Sequence, residues 1–267
     1  MRLDSFLFEA GYFSSRNKAA ECVKRGEVLL DGKIEKKPSK EVTGAEKIEI
    51  ISPKKFVSLG GYKLDKALSD FSVDVNGLTF ADIGASTGGF TDCLLQRGAK
   101  KVYAVDVGEN LLDERLKSDS RVIALDKVNA RNMTEQTIGE KVDGVVADCS
   151  FISLKLVLPA IVKFLKPDGF IVALIKPQFE AGREKVGKKG VVTDKAVHME
   201  VVEKITQFAM QTGFHLLGLD FSPIKGPEGN IEYLLYMEKE NDLAEGVNQL
   251  SVQIADVVEK AHGKLDE

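Results

Sequence analysis

The stretch that most constrains this 267-residue chain runs from Thr79 to Asp92 and reads TFADIGASTGGFTD. Its apolar start predicts a strand over 79–83, its small residues predict a loop over 84–89, and a helix follows over 90–97. Because glycine has no Cβ, such a loop lets a ligand approach the backbone, and N–H groups at the start of the helix face that ligand. This order is typical of α/β folds that bind a nucleotide or nucleoside.

An acidic residue, Asp106, ends the next predicted strand, KVYAVDVG. In doubly wound folds an acid at this point binds the hydroxyls of a ribose, so we expect a nucleoside cofactor; a simple strand-end turn is the alternative role. The dinucleotide pattern G-x-G-x-x-G fails because Ser86 stands at its second glycine, and the sequence contains no Walker loop. The sequence therefore argues against a dinucleotide such as NAD.

The charge ahead of the loop narrows the choice of cofactor. Asp82 lies two residues before the first glycine, where an acid would repel a pyrophosphate but attract the ammonium and sulfonium charges of S-adenosylmethionine. A helix-capping or turn-forming role is the alternative for this side chain. The predicted cofactor-binding residues are Asp82, Gly84, Ser86, Gly88, Phe90, Asp106 and, on the adenine side, Asp126.

Composition and charge exclude several classes of protein. The chain is 43% hydrophobic and 29% charged, which is enough to build one large domain and one small one. Three widely spaced cysteines and three histidines support neither a disulfide framework nor a metal site. The first residues lack a signal-peptide pattern, and the longest uncharged apolar run, FIVALI, is far too short to span a membrane. We expect a cytoplasmic protein without a metal.

Strands and helices alternate along most of the chain, which predicts a mostly parallel sheet with helices on both faces. The predicted strands are 79–83, 101–106, 121–125, 142–147, 169–175, 214–221 and 231–237, and the predicted helices are 61–71, 90–97, 110–117, 155–165, 195–212 and 241–262. The last two strands are joined without a helix, so they should be antiparallel. We therefore predict a doubly wound, Rossmann-like sheet of the methyltransferase kind, whose last strand is antiparallel.

Residues 1–52 read as a separate small α+β unit, followed by a linker over 53–60 and a second domain over 61–267. Apolar residues at helical spacing predict two short helices, and EVLLDGKI predicts a hairpin with an Asp-Gly turn. Basic residues beside the apolar stripe suit contact with an RNA backbone, although such a helix face is often merely solvated. The predicted RNA contacts of this unit are Arg2, Arg16, Lys18, Lys24 and Arg25.

Polar residues stand at one terminus of each of three predicted strands. Asp148 follows VDGVVA, Lys176 follows FIVALI, and Glu232 lies at the start of the antiparallel strand IEYLLYM. Ligands bind outside the carboxyl ends of parallel strands, and the first residues of an antiparallel neighbour lie at the same edge. We therefore expect these three side chains to converge beside the cofactor loop, although each alone is explained equally well by solvation.

A basic segment, EAGREKVGKKGVVTD, follows Lys176 and covers residues 180–194. It contains three glycines and four bases close together, which favours a mobile strip that closes on RNA phosphates. A solvated surface loop is the alternative. The predicted RNA contacts of this segment are Arg183, Lys185, Lys188 and Lys189.

Several long motifs carry a family resemblance. The stretch RLDSFLFEAGYFSSRNKAAECVKRGEVLLDGK resembles the RNA-binding domain first seen in ribosomal small-subunit protein four. The motifs GGYKL, ADIGASTGGFTD, VYAVDVG, ADCSFISL, LIKPQFEAGR and GPEGNIEYLL resemble the TlyA (hemolysin A) family of ribosomal RNA 2′-O-methyltransferases. The resemblance implies a methyltransferase domain of the FtsJ type, S-adenosylmethionine as cofactor, and cytidine in ribosomal RNA or ribosomal subunits as target.

The resemblance also implies a Lys-Asp-Lys-Glu catalytic tetrad, which falls on Lys63, Asp148, Lys176 and Glu232. Lys63 enters through the resemblance alone, and its alternative is an ordinary lysine on a helix surface. The chain departs from the family at Leu59, where relatives usually have a basic residue, and at Lys54-Lys55-Phe56, where relatives often have an arginine and a tryptophan. RNA contact at the first position and signalling through the linker are therefore in doubt.

Three other functions stay open at this point. A methyltransferase acting on a small molecule is disfavoured by the N-terminal unit and the basic segment. A membrane-active protein is suggested by the hemolysin name of the family, but the sequence shows no span and no secretion signal. An RNA-binding protein with an inactive methyltransferase domain is disfavoured by the complete tetrad.

Overall fold

The computed structural model describes residues 1–13, 15–51, 55–239 and 250–265. Part of the predicted linker, with Pro53 and Lys54, and the start of the predicted tail helix lie outside the described residues. The chain divides into two compact units, Met1–Lys55 and Phe56–Glu267. Each unit builds its own hydrophobic core.

The first unit is a small α+β fold. Its elements are α1 (Leu3–Glu9), α2 (Arg16–Lys24), β1 (Val28–Leu30), β2 (Lys33–Glu35) and β3 (Ile48–Ile50), with antiparallel strands in the order β2-β1-β3. Ser15 begins α2 because its side chain accepts a hydrogen bond from Lys18 N. Asp31 and Gly32 adopt φ values of 49° and 77°, which a tight hairpin turn requires. The predicted hairpin is therefore present.

The second unit is a seven-stranded sheet with helices. Its elements are α3 (Gly60–Asp70), β4 (Thr79–Ile83), α4 (Gly89–Gln96), β5 (Lys101–Val105), α5 (Glu114–Lys117), β6 (Val122–Leu125), α6 (Glu135–Ile138), β7 (Val142–Ala147), α7 (Leu154–Ile161), β8 (Leu165–Ile175), α8 (Pro177–Glu180), α9 (Lys195–Gln211), β9 (Phe214–Phe221), β10 (Tyr233–Lys239) and α10 (Leu250–Leu265). The strand order is β6-β5-β4-β7-β8-β10-β9. Strands β4 to β8 are parallel, and β10 is antiparallel to both of its neighbours. The predicted methyltransferase fold is confirmed.

The sheet separates two hydrophobic clusters because successive strand residues point to opposite faces. On β4, Ala81 and Ile83 pack with residues of α7 and α9, whereas Phe80 packs with residues of α3 and α4. This arrangement buries both faces of the central strands and leaves their carboxyl ends at one edge. The residues that follow those ends are therefore available for a site.

The predicted elements differ from the observed ones in two places that bear on the site. The strand β10 begins at Tyr233, so Glu232 lies just before it and not inside it, as the apolar run had suggested. The helices α6 and α8, of four residues each, were not predicted, because one turn is too short to show a hydrophobic period. Helix α8 follows Lys176 directly and begins with Pro177, which suits the first position of a helix.

Candidate active site

The glycine-rich loop turns sharply where β4, β5 and β7 end. The N–H groups of Gly84 and Ala85 both donate to Val105 O, at 2.9 and 3.0 Å. Gly84 has a φ of 81°, and a Cβ at this position would lie 2.8 Å from Asp148 O. The close approach that requires glycine here is thus made by the neighbouring strand end, whereas the sequence argument had assigned it to a ligand.

Asp106 fixes the tip of the same loop. Its Oδ2 accepts a hydrogen bond from Ser86 N and its Oδ1 accepts one from Gly108 N, both at 2.8 Å. Each carboxylate oxygen has more than one acceptor position, so Asp106 can still accept hydrogen bonds from a ligand. The residue is half-buried at the wall of a cavity, which is consistent with its predicted role.

A cavity of about 560 Å³ lies against this loop and is the larger of two adjoining cavities there. It is lined by Ile83, Gly84, Ser86, Val105, Asp106, Val107, Gly108, Leu111, Val128, Asn129, Ala130, Arg131, Asp148, Cys149, Ser150, Phe151 and Ile152. Three predicted cofactor residues, Gly84, Ser86 and Asp106, are among them. The lining is largely apolar, with a few polar groups at the strand ends, as is usual for small-molecule sites.

The structure places the other predicted cofactor residues elsewhere. Gly88 has a φ of 93° and faces the side chains of Leu112 and Leu116, and Phe90 is buried at a second cavity. Asp126 is exposed, accepts a hydrogen bond from Asn110 N at 3.0 Å and is not among the residues that line either cavity.

Asp82 is fully buried under the loop and lines neither cavity. Its Oδ2 accepts hydrogen bonds from Thr91 N and Thr91 Oγ1, at 2.9 and 2.7 Å, in the first turn of α4. This is the helix-capping arrangement that the sequence left open. Its Oδ1 is buried without a hydrogen-bond partner among the described residues. Burial raises the pKa of Asp82 to about 7, and the nearby carboxylates of Asp148 and Asp106 act in the same direction.

Lys63 of α3 and Glu232 form a buried ion pair. Lys63 Nζ lies 2.5 Å from Glu232 Oε2, and the two residues are 5% and 1% exposed. The backbone fixes Glu232, because Ser222 N donates to Glu232 O at 2.8 Å. A Cβ at Gly226 would lie 2.6 Å from Glu232 Oε1, so glycine at this position leaves room for the carboxylate.

Lys176 and Asp148 form a second ion pair at the ends of β8 and β7. Lys176 Nζ lies 2.6 Å from Asp148 Oδ1 and donates a hydrogen bond to Ser150 Oγ at 3.0 Å. Lys176 is only 7% exposed, so its ammonium is held in one place by these two groups. The pairing follows from topology, because β7 and β8 are parallel neighbours that end at the same edge.

A smaller cavity of about 380 Å³ adjoins the larger one. It is lined by Ser58, Leu59, Gly60, Lys63, Gly84, Ala85, Ser86, Thr87, Gly89, Phe90, Asp148, Ser150, Lys176, Lys225 and Pro227. The two cavities share Gly84, Ser86, Asp148 and Ser150. Molecules in the two cavities would therefore meet beside the Lys176–Asp148 pair, which is an arrangement suited to transferring a group from one to the other.

Sequence reasoning missed several residues of these walls. Ser150 holds Lys176, and the side chain of Phe151, which is 88% exposed with a φ of 63°, packs against Phe179 with ring centroids 5.1 Å apart. Both belong to the motif ADCSFISL, so their position after a strand end was a usable signal. Lys225 carried no such signal, because it lies in the connection between β9 and β10. Arg131 lies in a 3-10 helix, Ala130–Asn132, which is too short to show a hydrophobic period.

The predicted RNA contacts of the first unit are partly balanced by acids. Asp4 accepts a bidentate pair of hydrogen bonds from Arg2 and lies 3.3 Å from Arg16 Nε, and the Arg2 guanidinium is the main reason that the pKa of Asp4 is lowered to about 2. Three further basic residues of the unit are exposed: Lys24 pairs with Glu21, Arg25 pairs with Glu27, and Lys18 lies near the start of α2.

The basic segment over 180–194 is hydrogen-bonded to the rest of its unit. Asn230 Nδ2 donates to Gly190 O at 2.9 Å, and Val192 N donates to Asn230 Oδ1 at 3.0 Å. Lys185 pairs with Glu200, whereas Arg183, Lys188 and Lys189 are exposed. The tip of the segment is thus tied to the turn that precedes Glu232, and its closure on RNA stays a prediction.

In the described part of the chain, no helix has both the length and the apolar character needed to cross a bilayer.

The linker residue Phe56 is buried against Gly61 and Tyr62, with its ring 5.1 Å from that of Tyr62.

Comparisons with known proteins cover both units. The chain matches the FtsJ-like methyltransferase family over residues 56–239 and the S4 domain family over residues 1–48. It is 43% identical over 245 residues to the 16S/23S rRNA (cytidine-2'-O)-methyltransferase TlyA of Mycobacterium tuberculosis, and the match covers 91% of each chain. It is 40% identical over 237 residues to Hemolysin A of Brachyspira hyodysenteriae, with 88% of this chain and 99% of that protein covered.

A solved structure from Streptococcus thermophilus, described as a candidate hemolysin, superposes with a TM-score of 0.77 at 41% identity. The match covers 100% of this chain and 97% of that one. The similarity therefore extends over both units in the same order along the chain.

Proposed function

Because the chain belongs to the TlyA (hemolysin A) family of FtsJ-like methyltransferases, as its motifs predicted, we propose that it methylates a ribose 2′-hydroxyl of ribosomal RNA, with cytidine as the target nucleotide. The methyl donor is S-adenosylmethionine. One observation carries the proposal: two adjoining cavities meet at Asp148 and Ser150, beside the ammonium of Lys176. The larger cavity suits the donor and the smaller one suits the ribose.

The larger cavity fits an adenosyl cofactor. Asp106 offers acceptors for the ribose hydroxyls, and apolar side chains such as Val107 and Leu111 offer a wall for adenine. The backbone around Gly84 and Ser86 is assigned to the methionine part. Asp82 lines neither cavity, and its part is to hold the loop from beneath by capping α4. When bound, S-adenosylmethionine supplies a methyl group on a positively charged sulfur, which leaves readily.

The protein must therefore align the 2′-oxygen with the methyl group and take up the proton of a weakly acidic hydroxyl. We assign this task to Lys176, which orients the hydroxyl as an ammonium or, after losing a proton to become a neutral amine, accepts the proton of the hydroxyl, and whose Nζ is held by Asp148 and Ser150. Lys63 and Glu232 form the second pair of the tetrad and contribute a fixed charge distribution on another wall of the smaller cavity. The S4 unit and the basic segment would hold the RNA.

The test incubates the protein with S-adenosylmethionine labelled in its methyl group and ribosomal subunits from cells that lack the protein. Digestion of the RNA should release the label in a 2′-O-methylcytidine, because the smaller cavity presents the ribose to the donor. Label in a base, in protein or in a small molecule would contradict the proposal. Leakage of liposomes without any labelled RNA would support the membrane-active alternative.

A further inference from the structure

A buried acid outside the tetrad holds the loop over 148–153, which connects β7 to α7. Glu180 is the last residue of α8 and is 6% exposed. Ser153 Oγ donates a hydrogen bond to Glu180 Oε2 at 2.6 Å, and Leu154 N donates one to Glu180 Oε1 at 2.8 Å. Both oxygens of the carboxylate are thus bound at the far end of this loop.

The stretch that begins at Lys176 meets the same loop at two further places. Lys176, directly before α8, contacts Asp148 and Ser150 at the start of the loop. In the middle of the loop, the ring centroid of Phe151 lies 5.1 Å from that of Phe179. The buried acid supplies the third contact. The position of Asp148 relative to Lys176 therefore depends on how the whole loop is held.

The loop needs this support because its backbone is strained. Phe151 has a φ of 63°, which a residue with a bulky side chain rarely adopts. Such a conformation is retained only where the surrounding structure imposes it. Asp148 N fixes the start of the loop by donating to Ile83 O at 3.0 Å, and Glu180 fixes its end. Without the acid the loop can relax from that end, and Ser150 moves with it.

A helix cap alone explains only part of this arrangement. Ser153 already caps α7, since its Oγ accepts a hydrogen bond from Lys155 N at 3.1 Å. Burial raises the pKa of Glu180, whereas the hydrogen bonds from Ser153 and Leu154 act in the opposite direction. The ammonium groups of Lys204 and Lys155 also favour the charged form. The carboxylate is therefore stabilised as an acceptor for the end of the loop.

We propose that Glu180 is a positioning residue, which holds the loop so that Asp148 and Ser150 keep Lys176 directed at the acceptor hydroxyl. The inference rests on the proposed function and specifies how the group that handles this hydroxyl is kept in place. Glu180 lines neither cavity, so it acts through the loop and not on a ligand. A displacement of about 1 Å in a group that aligns reactants can lower a rate about a hundredfold.

The test compares Glu180→Met, Glu180→Gln and wild-type protein in methylation of ribosomal subunits. Methionine is similar in length but a poor acceptor, so Glu180→Met should lower kcat about tenfold to a hundredfold. KM for the subunits and the affinity for S-adenosylmethionine should stay within about threefold of wild type, because Asp106 and most of the cavity walls lie outside the loop. Glu180→Gln keeps an acceptor for Leu154 N and a polar contact for Ser153, so it should keep most of kcat.

A matched control separates this role from a loss of stability. The stoichiometry of S-adenosylmethionine binding counts the folded protein, so kcat can be expressed per folded molecule. Asp143 Oδ2 accepts a hydrogen bond from Thr79 N at 2.9 Å, at the opposite edge of the sheet. Asp143→Ala should therefore destabilise the protein and leave kcat per folded molecule unchanged.

Alkylation of Cys149 by iodoacetamide measures the opening of the loop itself. Cys149 lies within the loop and is buried, as is Cys93 of α4. Glu180→Met should raise the alkylation rate of Cys149 about tenfold and leave that of Cys93 unchanged, because the opening is local. Mass spectrometry of peptides measures the two rates separately.

An unchanged kcat per folded molecule in Glu180→Met, or an unchanged alkylation rate at Cys149, would overturn the inference, as would a loss that Glu180→Gln does not recover. Wild-type protein that transfers no methyl group to a 2′-hydroxyl would contradict the proposed function. Faster alkylation of Cys149 in Glu180→Met would then still support the part of the inference in which Glu180 holds the loop.

Discussion

Lys63 and Glu232 are 169 residues apart in the sequence, yet Lys63 Nζ donates to Glu232 Oε2 at 2.5 Å inside the second unit. Moving two charges out of water is costly, so a buried pair is weak evidence for stability. The other oxygen, Glu232 Oε1, is buried without a hydrogen-bond partner among the described residues. An acceptor left in this state beside the smaller cavity indicates that the pair serves the site.

We predict that Glu232→Gln lowers the free energy of unfolding by about 3 to 5 kcal/mol, because it leaves the ammonium of Lys63 buried without a counter-charge. The double variant Lys63→Met, Glu232→Gln removes both charges and should be less destabilised than the single one, while both are inactive. Urea unfolding measures the stabilities. The surface pair Lys117–Glu114, in which the Glu114 side chain is 86% exposed, is the control, and Glu114→Gln should change stability by less than about 1 kcal/mol. A double variant whose free energy of unfolding is as low as that of Glu232→Gln, or lower, would contradict this explanation.

Lys176→Ala should lower kcat for methyl transfer by about 10² to 10⁴, the usual effect of a group that handles a proton. Its affinity for S-adenosylmethionine should stay close to wild type, since the larger cavity is not lined by Lys176. Ser150→Ala keeps the ion pair of Lys176 with Asp148 and removes only one hydrogen bond, so it should lose much less activity. Initial rates and calorimetry measure the two effects, and normal turnover by Lys176→Ala would reject its assignment.

How far the site follows from the sequence depends on where each residue stands. Asp148 and Lys176 could be predicted to converge, because parallel strands bring their carboxyl ends to one edge of a sheet. The position of Lys63 could not be predicted, since a lysine in an amphipathic helix is expected to be solvated and its partner is remote in sequence. Family resemblance alone identified it. The place of Lys225 on the cavity wall could not be predicted either, because the position of a residue in an irregular connection depends on the surrounding packing and not on a local period.

The predicted cofactor residues also include some that the sequence placed at the cavity and some that it did not. Asp106 follows a strand and lines the larger cavity, whereas Asp126 follows a strand at the edge of the sheet and is exposed. A residue that directly follows a strand can thus be assigned to one edge of the sheet, but its distance from the larger cavity cannot be predicted. For Asp82, the sequence could not separate attraction to a cation from capping of α4, because both place an acid before a glycine loop.

Asp106→Ala should weaken binding of S-adenosylmethionine by about tenfold to a hundredfold, because hydrogen bonds from two ribose hydroxyls to a carboxylate are lost. Asp126→Ala is the matched comparison at the end of the neighbouring strand, and the geometry predicts little change. Titration calorimetry measures both affinities. Equal effects of the two substitutions would mean that the cavity alone does not define the cofactor site.

Asp82 should make stability depend on pH. Its pKa is about 7 in the folded chain against an ordinary value of 3.8, so the folded state binds the proton more tightly than the unfolded state. The stabilisation from this proton is full below about pH 4, is lost as the pH rises through 7, and amounts to at most about 4 kcal/mol. Asp82→Asn keeps an acceptor for Thr91 and cannot titrate. Urea unfolding between pH 4 and 8 should therefore show a smaller fall in the variant, and identical profiles would refute the assignment.

The basic segment offers a test of RNA contact inside one loop. Lys188 and Lys189 are exposed at its tip, whereas Lys185 is paired with Glu200. Replacing Lys188 and Lys189 with Gln should reduce the slope of log affinity for ribosomal subunits against log salt by about 1.4 to 1.8, the loss of two phosphate contacts. Lys185→Gln should have a smaller effect, because its charge is already balanced.

Asn230→Ala, which frees Gly190 and Val192, should weaken binding without removing a charge, so its salt slope should stay that of wild type. If neither the double lysine variant nor Asn230→Ala alters binding, the segment is a solvated loop.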